Sequence, residues 1–129
     1  MTQKQKDLLL KDLCGRLPYG VKCAEVYPDG NKFENVWDII RISKYVEDGI
    51  HISNCKTTYG YCSSIENIKP YLFPLSSITE EQKKEFDDTL KYFPSEEIYF
   101  WTSKTYDWCD KNNFDYRGLI EKDLALDAT

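Results

Sequence analysis

Ile68-Lys69-Pro70-Tyr71-Leu72-Phe73-Pro74-Leu75-Ser76-Ser77-Ile78-Thr79-Glu80-Glu81-Gln82 obeys one set of local rules at its start and another at its end. Its prolines lack the N–H that a strand ladder needs and turn Lys69 and Phe73 away from the α region, so the stretch reads as an extended crossing and not as a central strand. Thr79 and Gln82 stand at the T-x-x-Q spacing of a capping box, which starts a helix. The chain divides here, with strands expected before the segment and helices after it.

On the N-terminal side, Thr2 and Gln5 repeat the capping-box spacing, and Leu9, Leu10, Leu13 and Cys14 recur near helical period. Gly15 is placed to stop this helix, with Leu17 as the apolar contact beyond the cap and Pro18 barring continuation. Val21 to Tyr27, Phe33 to Ile42, Gly49 to Ser53 and a stretch opening at Tyr59 then read as short strands. Pro28-Asp29-Gly30-Asn31 and Glu47-Asp48-Gly49 supply the turns. The run containing Val36, Trp37, Ile39, Ile40 and Ile42 is apolar enough to be buried on both faces. Several short strands with tight turns indicate a bent antiparallel sheet or a small SH3-like barrel.

On the C-terminal side, Phe86, Leu90 and Phe93 at i, i+4 and i+7 form one helical stripe, with Glu80/Lys84 and Asp87/Lys91 as exposed pairs and Pro94 closing the helix. Glu97 to Trp101 reads as a short edge strand. Thr102 or Ser103 caps a helix through Cys109 to about Asn113, and Asp115 caps a last one carrying Tyr116, Leu119, Ile120 and Leu124. The final five residues are expected to fray.

The totals bound what this chain does. Its 129 residues suit one domain, divided into an N-terminal helix (1–17), a β part (18–78) and a helical part (79–129). Formal charge is −5, yet residues 1–78 carry 10 Lys+Arg against 9 Asp+Glu, while residues 79–129 carry 7 against 13. The acidic third does not suit a phosphate backbone. No stretch approaches the roughly 20 apolar residues of a membrane span, the start lacks a leader's apolar core, and five cysteines without a C-x-x-C pair suit reduced thiols. A cytoplasmic protein without membrane partner or cofactor is expected.

Candidate chemistry is sparse. His51, Cys55 and Cys62 form an H-x3-C-x6-C arrangement that lacks the paired spacing of zinc ribbons and reads as a strand histidine with buried thiols. His51 and Cys55 on one strand would stand about 13 Å apart, too far for a nucleophile and its base. The Gly15, Gly20 and Gly30 spacing makes no phosphate loop. Carboxylates at 80–81, 85–88 and 96–97 read as a solvated helix face. Pro70 and Pro74 miss the P-x-x-P period of polyproline ligands, and Tyr71, Phe73 and Leu75 alternate to one side, as for packing on the chain's own core. Arg41, Lys44, Tyr45, Lys56, Tyr59 and Tyr61 interleave cations with aromatics in the β part, which makes them the candidate binding face.

Three segments resemble a family of short uncharacterised proteins common in anaerobic gut bacteria and on their phages and mobile elements: 11–21 (KDLCGRLPYGV), 68–79 (IKPYLFPLSSIT) and 114–122 (FDYRGLIEK). Residues 22–67 carry no such match, and Asp123 stands where a glycine is expected. The resemblance brings no activity and no functional residue; it implies a bacterial or phage cytoplasmic setting.

These readings converge on an α+β protein with an N-terminal helix, a small bent antiparallel sheet or barrel, and acidic C-terminal helices. The expected function is a non-enzymatic protein-interaction or regulatory module, with a nucleic-acid-binding small barrel as the alternative.

Overall fold

The computed structural model describes residues 1–27, 29, 36–43, 49–54 and 60–129, with the backbone alone for 43, 49, 51–54 and 60–62. The fold is α+β. Helix α1 (Gln3–Arg16) starts at the expected capping box: the Thr2 hydroxyl accepts from the Gln5 amide at 3.1 Å, and the Gln5 side chain accepts from the Thr2 amide at 2.9 Å. It does not stop at Gly15. A Cβ there would stand 2.8 Å from Asp110 Oδ2, so this glycine serves close approach to the C-terminal part of the chain. The stop comes after a 3-10 turn over Leu17–Tyr19, where Gly20 takes a φ of +87° that side chains rarely adopt. The buried face is Leu9, Asp12, Leu13 and Arg16, and Cys14 is exposed. Two charged residues thus belong to the stripe that apolar periodicity assigned elsewhere.

Strands β1 (Lys22–Glu25), β2 (Trp37–Ser43), β3 (Gly49–Asn54) and β4 (Gly60–Ser64) form an antiparallel meander. Ile40 is an extra residue in β2, because Ile39 faces Ile52 while Arg41 faces His51. This bulge shifts the two-residue alternation, so Ile39 and Ile42 both turn to the core while Ile40 is 58% exposed. The run is therefore not buried on both faces. The turns expected at 28–31 and 47–49 lie outside the described residues, apart from Asp29 and the Gly49 backbone.

A 3-10 turn (Ile65–Asn67) leads from β4 into β5 (Ile68–Pro74), and here the proline argument fails. β5 is a central strand, antiparallel to β1 and parallel to two short strands near the C-terminus, β8 (Phe114–Asp115) and β9 (Leu126–Asp127). Backbone groups along a strand alternate between its edges. The Asn67 carbonyl accepts from Val26 on the β1 side, so Pro70 turns its nitrogen to the opposite edge, where pairing with β9 begins only at Tyr71. The missing N–H has no ladder partner to lose. Ile68, Pro70 and Leu72 face the core, whereas Phe73 is exposed and Tyr71 half-buried, the reverse of the expected phase.

The order β4-β3-β2-β1-β5 is strongly curled. Ser63 of β4 donates to Glu25 of β1 at 2.9 Å, although a flat sheet would hold strands three places apart at about 14 Å. Among the described residues no strand pairing closes this curl into a barrel.

After the joint, Thr79 caps α2 (Glu80–Thr89) with the expected Thr79–Gln82 box. The helix ends at Thr89, before Pro94. Lys91–Phe93 form β6 and Ile98–Phe100 form β7, an antiparallel hairpin separate from the main sheet. Its β-prone aromatics outweigh the i, i+7 spacing that suggested a longer helix. Neither Glu80/Lys84 nor Asp87/Lys91 is among the ion pairs of the described residues, and Lys91 lies over the Phe93 ring at 5.0 Å. Helix α3 (Ser103–Lys111) follows.

The last expected helix is absent. Asp115 does accept from two amides, Leu119 and Ile120, both at 2.9 Å, but Gly118 and Asp123 at positive φ break the segment into turns. The chain end is not frayed: the Ala128 amide donates to Leu72 at 2.8 Å beside β9.

Candidate interaction surface

Every residue from Lys91 to Phe100 is exposed, and the large apolar ones among them lie between 36% and 62% exposed. Cross-strand register places Tyr92 opposite Tyr99 on one face and Lys91, Phe93, Ile98 and Phe100 on the other. Ring centroids are 4.8 Å apart for Tyr92–Tyr99 and 4.9 Å for Phe93–Phe100. Such pairs hold a hairpin in shape without a core behind it. Pro94 to Glu97 make the turn, closed by the Glu96 amide on the Phe93 carbonyl, with Glu97 at a φ of +52°.

The base of the hairpin is fastened to the body. The Thr102 hydroxyl donates to the Thr89 carbonyl at 2.7 Å, tying the start of α3 to the end of α2. Trp101 meets Phe86 edge-on at 5.4 Å and Tyr106 at 5.2 Å, and Trp108 stacks on Phe114 at 5.3 Å. The aromatics divide by position: those at the base pack against one another, and those on the strands face water.

Beneath this layer lies a buried ionic network. Arg16, fully buried, donates to both carboxylate oxygens of Asp12 at 2.8 and 3.1 Å, to the Phe114 carbonyl at 2.7 Å and to the Cys109 carbonyl at 3.3 Å. Arg117 adds a bond to Asp12 at 3.2 Å and one to the Tyr116 hydroxyl, which itself donates to Asp110 at 2.9 Å. Burial raises the Asp110 acid above its usual range, opposed by the Tyr116 hydrogen bond and Arg16. The fold therefore favours the protonated acid, a contribution complete below the ordinary carboxylate range and lost as pH rises through the raised value. Burial and Asp110 together push Tyr116 up to about 12. Its partners are satisfied from within, so the network joins α1 to the C-terminal segment.

The two buried thiols among the described residues, Cys23 and Cys109, are not ready nucleophiles. Burial, reinforced by Glu25 and Asp38, raises Cys23 to about 12, and burial raises Cys109 to about 11 despite Arg16. Both stay protonated near neutral pH, where thiolates do the chemistry. A thiol-alkylating reagent is expected to modify exposed Cys14 in the native protein but Cys23 and Cys109 only after denaturation, as read by peptide mass mapping. Equal labelling of all three would contradict their burial.

Of the residues singled out in the sequence, Arg41 is exposed on β2, and its backbone lies in one row with His51 and Cys62 across β3 and β4. Tyr61 is described through its β4 backbone, paired with Ile52. Lys44, Tyr45, Cys55, Lys56 and Tyr59 lie outside the described residues. Among the described residues no group of three His, Cys, Asp or Glu stands at metal-binding distance, and no helix is long and apolar enough to cross a membrane. The edge strand expected at Glu97 to Trp101 is β7, but its partner β6 was missed because Leu90 and Phe93 extend the stripe of Phe86 into it; the β-prone triplets on both sides of the Pro94 to Glu97 turn were the signal. No family model, no curated protein and no solved structure matches this chain.

Proposed function

We propose that this chain is a non-enzymatic protein-interaction or regulatory module that engages another protein through the hairpin β6–β7. The observation that carries the reading is the set of exposed aromatics on the two faces of a pre-shaped hairpin, Tyr92 and Tyr99 on one and Phe93 and Phe100 on the other. An isolated two-stranded hairpin is marginal in water, and contiguous exposed apolar surface is a liability unless a partner covers it. Tyrosine, tryptophan and phenylalanine are also the side chains that interfaces use as anchors, and fastening the base lowers the entropy lost on docking. The curl that brings Ser63 to Glu25 supports a small SH3-like arrangement of the first five strands as the platform. The resemblance of the three sequence segments supports a cytoplasmic setting in bacteria or their phages.

The test is capture from a bacterial lysate on the immobilised protein, with and without nuclease. Proteins retained after nuclease and lost with Tyr99→Ser are the expected result. Capture that vanishes with nuclease but survives Tyr99→Ser would favour the nucleic-acid alternative and overturn the reading.

A further inference from the structure

Resting on the reading of the hairpin as a contact surface, we propose that its partner is a protein with an apolar cleft bordered by lysine and arginine, and not a second copy of this chain. Between residues 80 and 107, eight carboxylates stand against four lysines, and all twelve side chains are exposed. Glu85 accepts from the Trp108 indole at 3.3 Å; none of the eight has an ion-pair partner among the described residues. Glu80 and Glu81 suit the first turn of α2, but four of the others do not serve the local fold. Asp87 and Asp88 occupy the last turn of α2, where the macrodipole disfavours negative charge and no basic residue compensates them. Glu96 and Glu97 crowd the tip of the hairpin, and Glu97 adopts a φ of +52° there.

A hairpin with exposed aromatics and uncompensated carboxylates at its base and tip selects its occupant by charge. Two copies brought hairpin to hairpin would place like charges against each other, and a phosphate backbone would be repelled in the same way. A cationic rim gains steering on approach and pairs on docking, while an apolar cleft covers the rings.

The full chain is titrated calorimetrically with two synthetic peptides of identical phenylalanine and leucine pattern, one carrying lysines and the other glutamates at the remaining positions. The lysine peptide is expected to bind at least about tenfold more tightly at low salt, with the advantage shrinking as salt rises. Tyr99→Ser should abolish binding, and Asp88→Lys with Glu96→Lys should remove the preference at an unchanged thermal midpoint. Equal affinity for the two peptides, or a preference indifferent to salt, overturns the proposal. So does a sedimentation result in which the wild type is a dimer and Tyr99→Ser a monomer. If lysate capture depends on Tyr99 while the lysine preference is absent, the contact surface stands and only the charge assignment falls. If neither capture nor peptide binding responds to Tyr99→Ser, both fall.

Discussion

Replacing Arg16 by methionine is expected to cost about 3–5 kcal/mol of folding stability. Methionine restores much of the volume but none of the donors, so the Phe114 and Cys109 carbonyls lose the guanidinium that satisfies them. Asp12 keeps Arg117 at 3.2 Å, which places the loss towards the lower end of that range. The consequence reaches far along the chain, because this one side chain joins α1 to α3 and β8, more than ninety residues away in sequence. Against a typical total of about 5–15 kcal/mol, little margin would remain. Urea unfolding measures it; a loss below about 1 kcal/mol would mean that water serves the carbonyls equally well.

Leu72→Ala is expected to cost about 2–5 kcal/mol, while Phe73→Ala costs less than half as much. Leu72 is fully buried on the core face of β5; Phe73 is exposed, with a tilted contact to Phe114 at 6.0 Å. The comparison tests the phase of the central strand directly. If Phe73→Ala proves the more damaging, β5 has the phase that its prolines and aromatics suggested, and the register with β1 is shifted by one residue.

That phase marks where sequence reasoning reaches its limit. Capping boxes at Thr2 and Thr79 were legible because they need only residues three apart, and both formed. The α+β class and the antiparallel strands were legible because short β-prone runs are local too. What was hidden depended on distant partners. Pro70 is tolerated in a central strand because β9, arriving from the chain end, starts one residue later. Gly15 stops no helix because Asp110 stands where its Cβ would be. Asp12 and Arg16 belong to the buried face because backbone carbonyls nearly a hundred residues away accept from Arg16. The second strand of the hairpin was legible at Glu97 to Trp101, but the first was lost for a different reason: aromatic residues serve helix and strand alike, and a stripe at 86, 90 and 93 fits either until the turn is placed. As for the candidate binding face, Arg41 is exposed on β2, its backbone in a cross-strand row with His51 and Cys62, while four of its six residues lie outside the described structure.

The hairpin aromatics belong to the surface and not to the core. Thermal unfolding of the Phe93→Ser, Tyr99→Ser double variant beside the wild type tests it most directly. Removing two large side chains from a packed interior would cost several kcal/mol, about 3–5 for each buried ring, and lower the midpoint by tens of degrees. Because both rings face water, the midpoint is predicted to stay within about 5 °C of the wild type. A collapse of the midpoint would instead place the hairpin within the core.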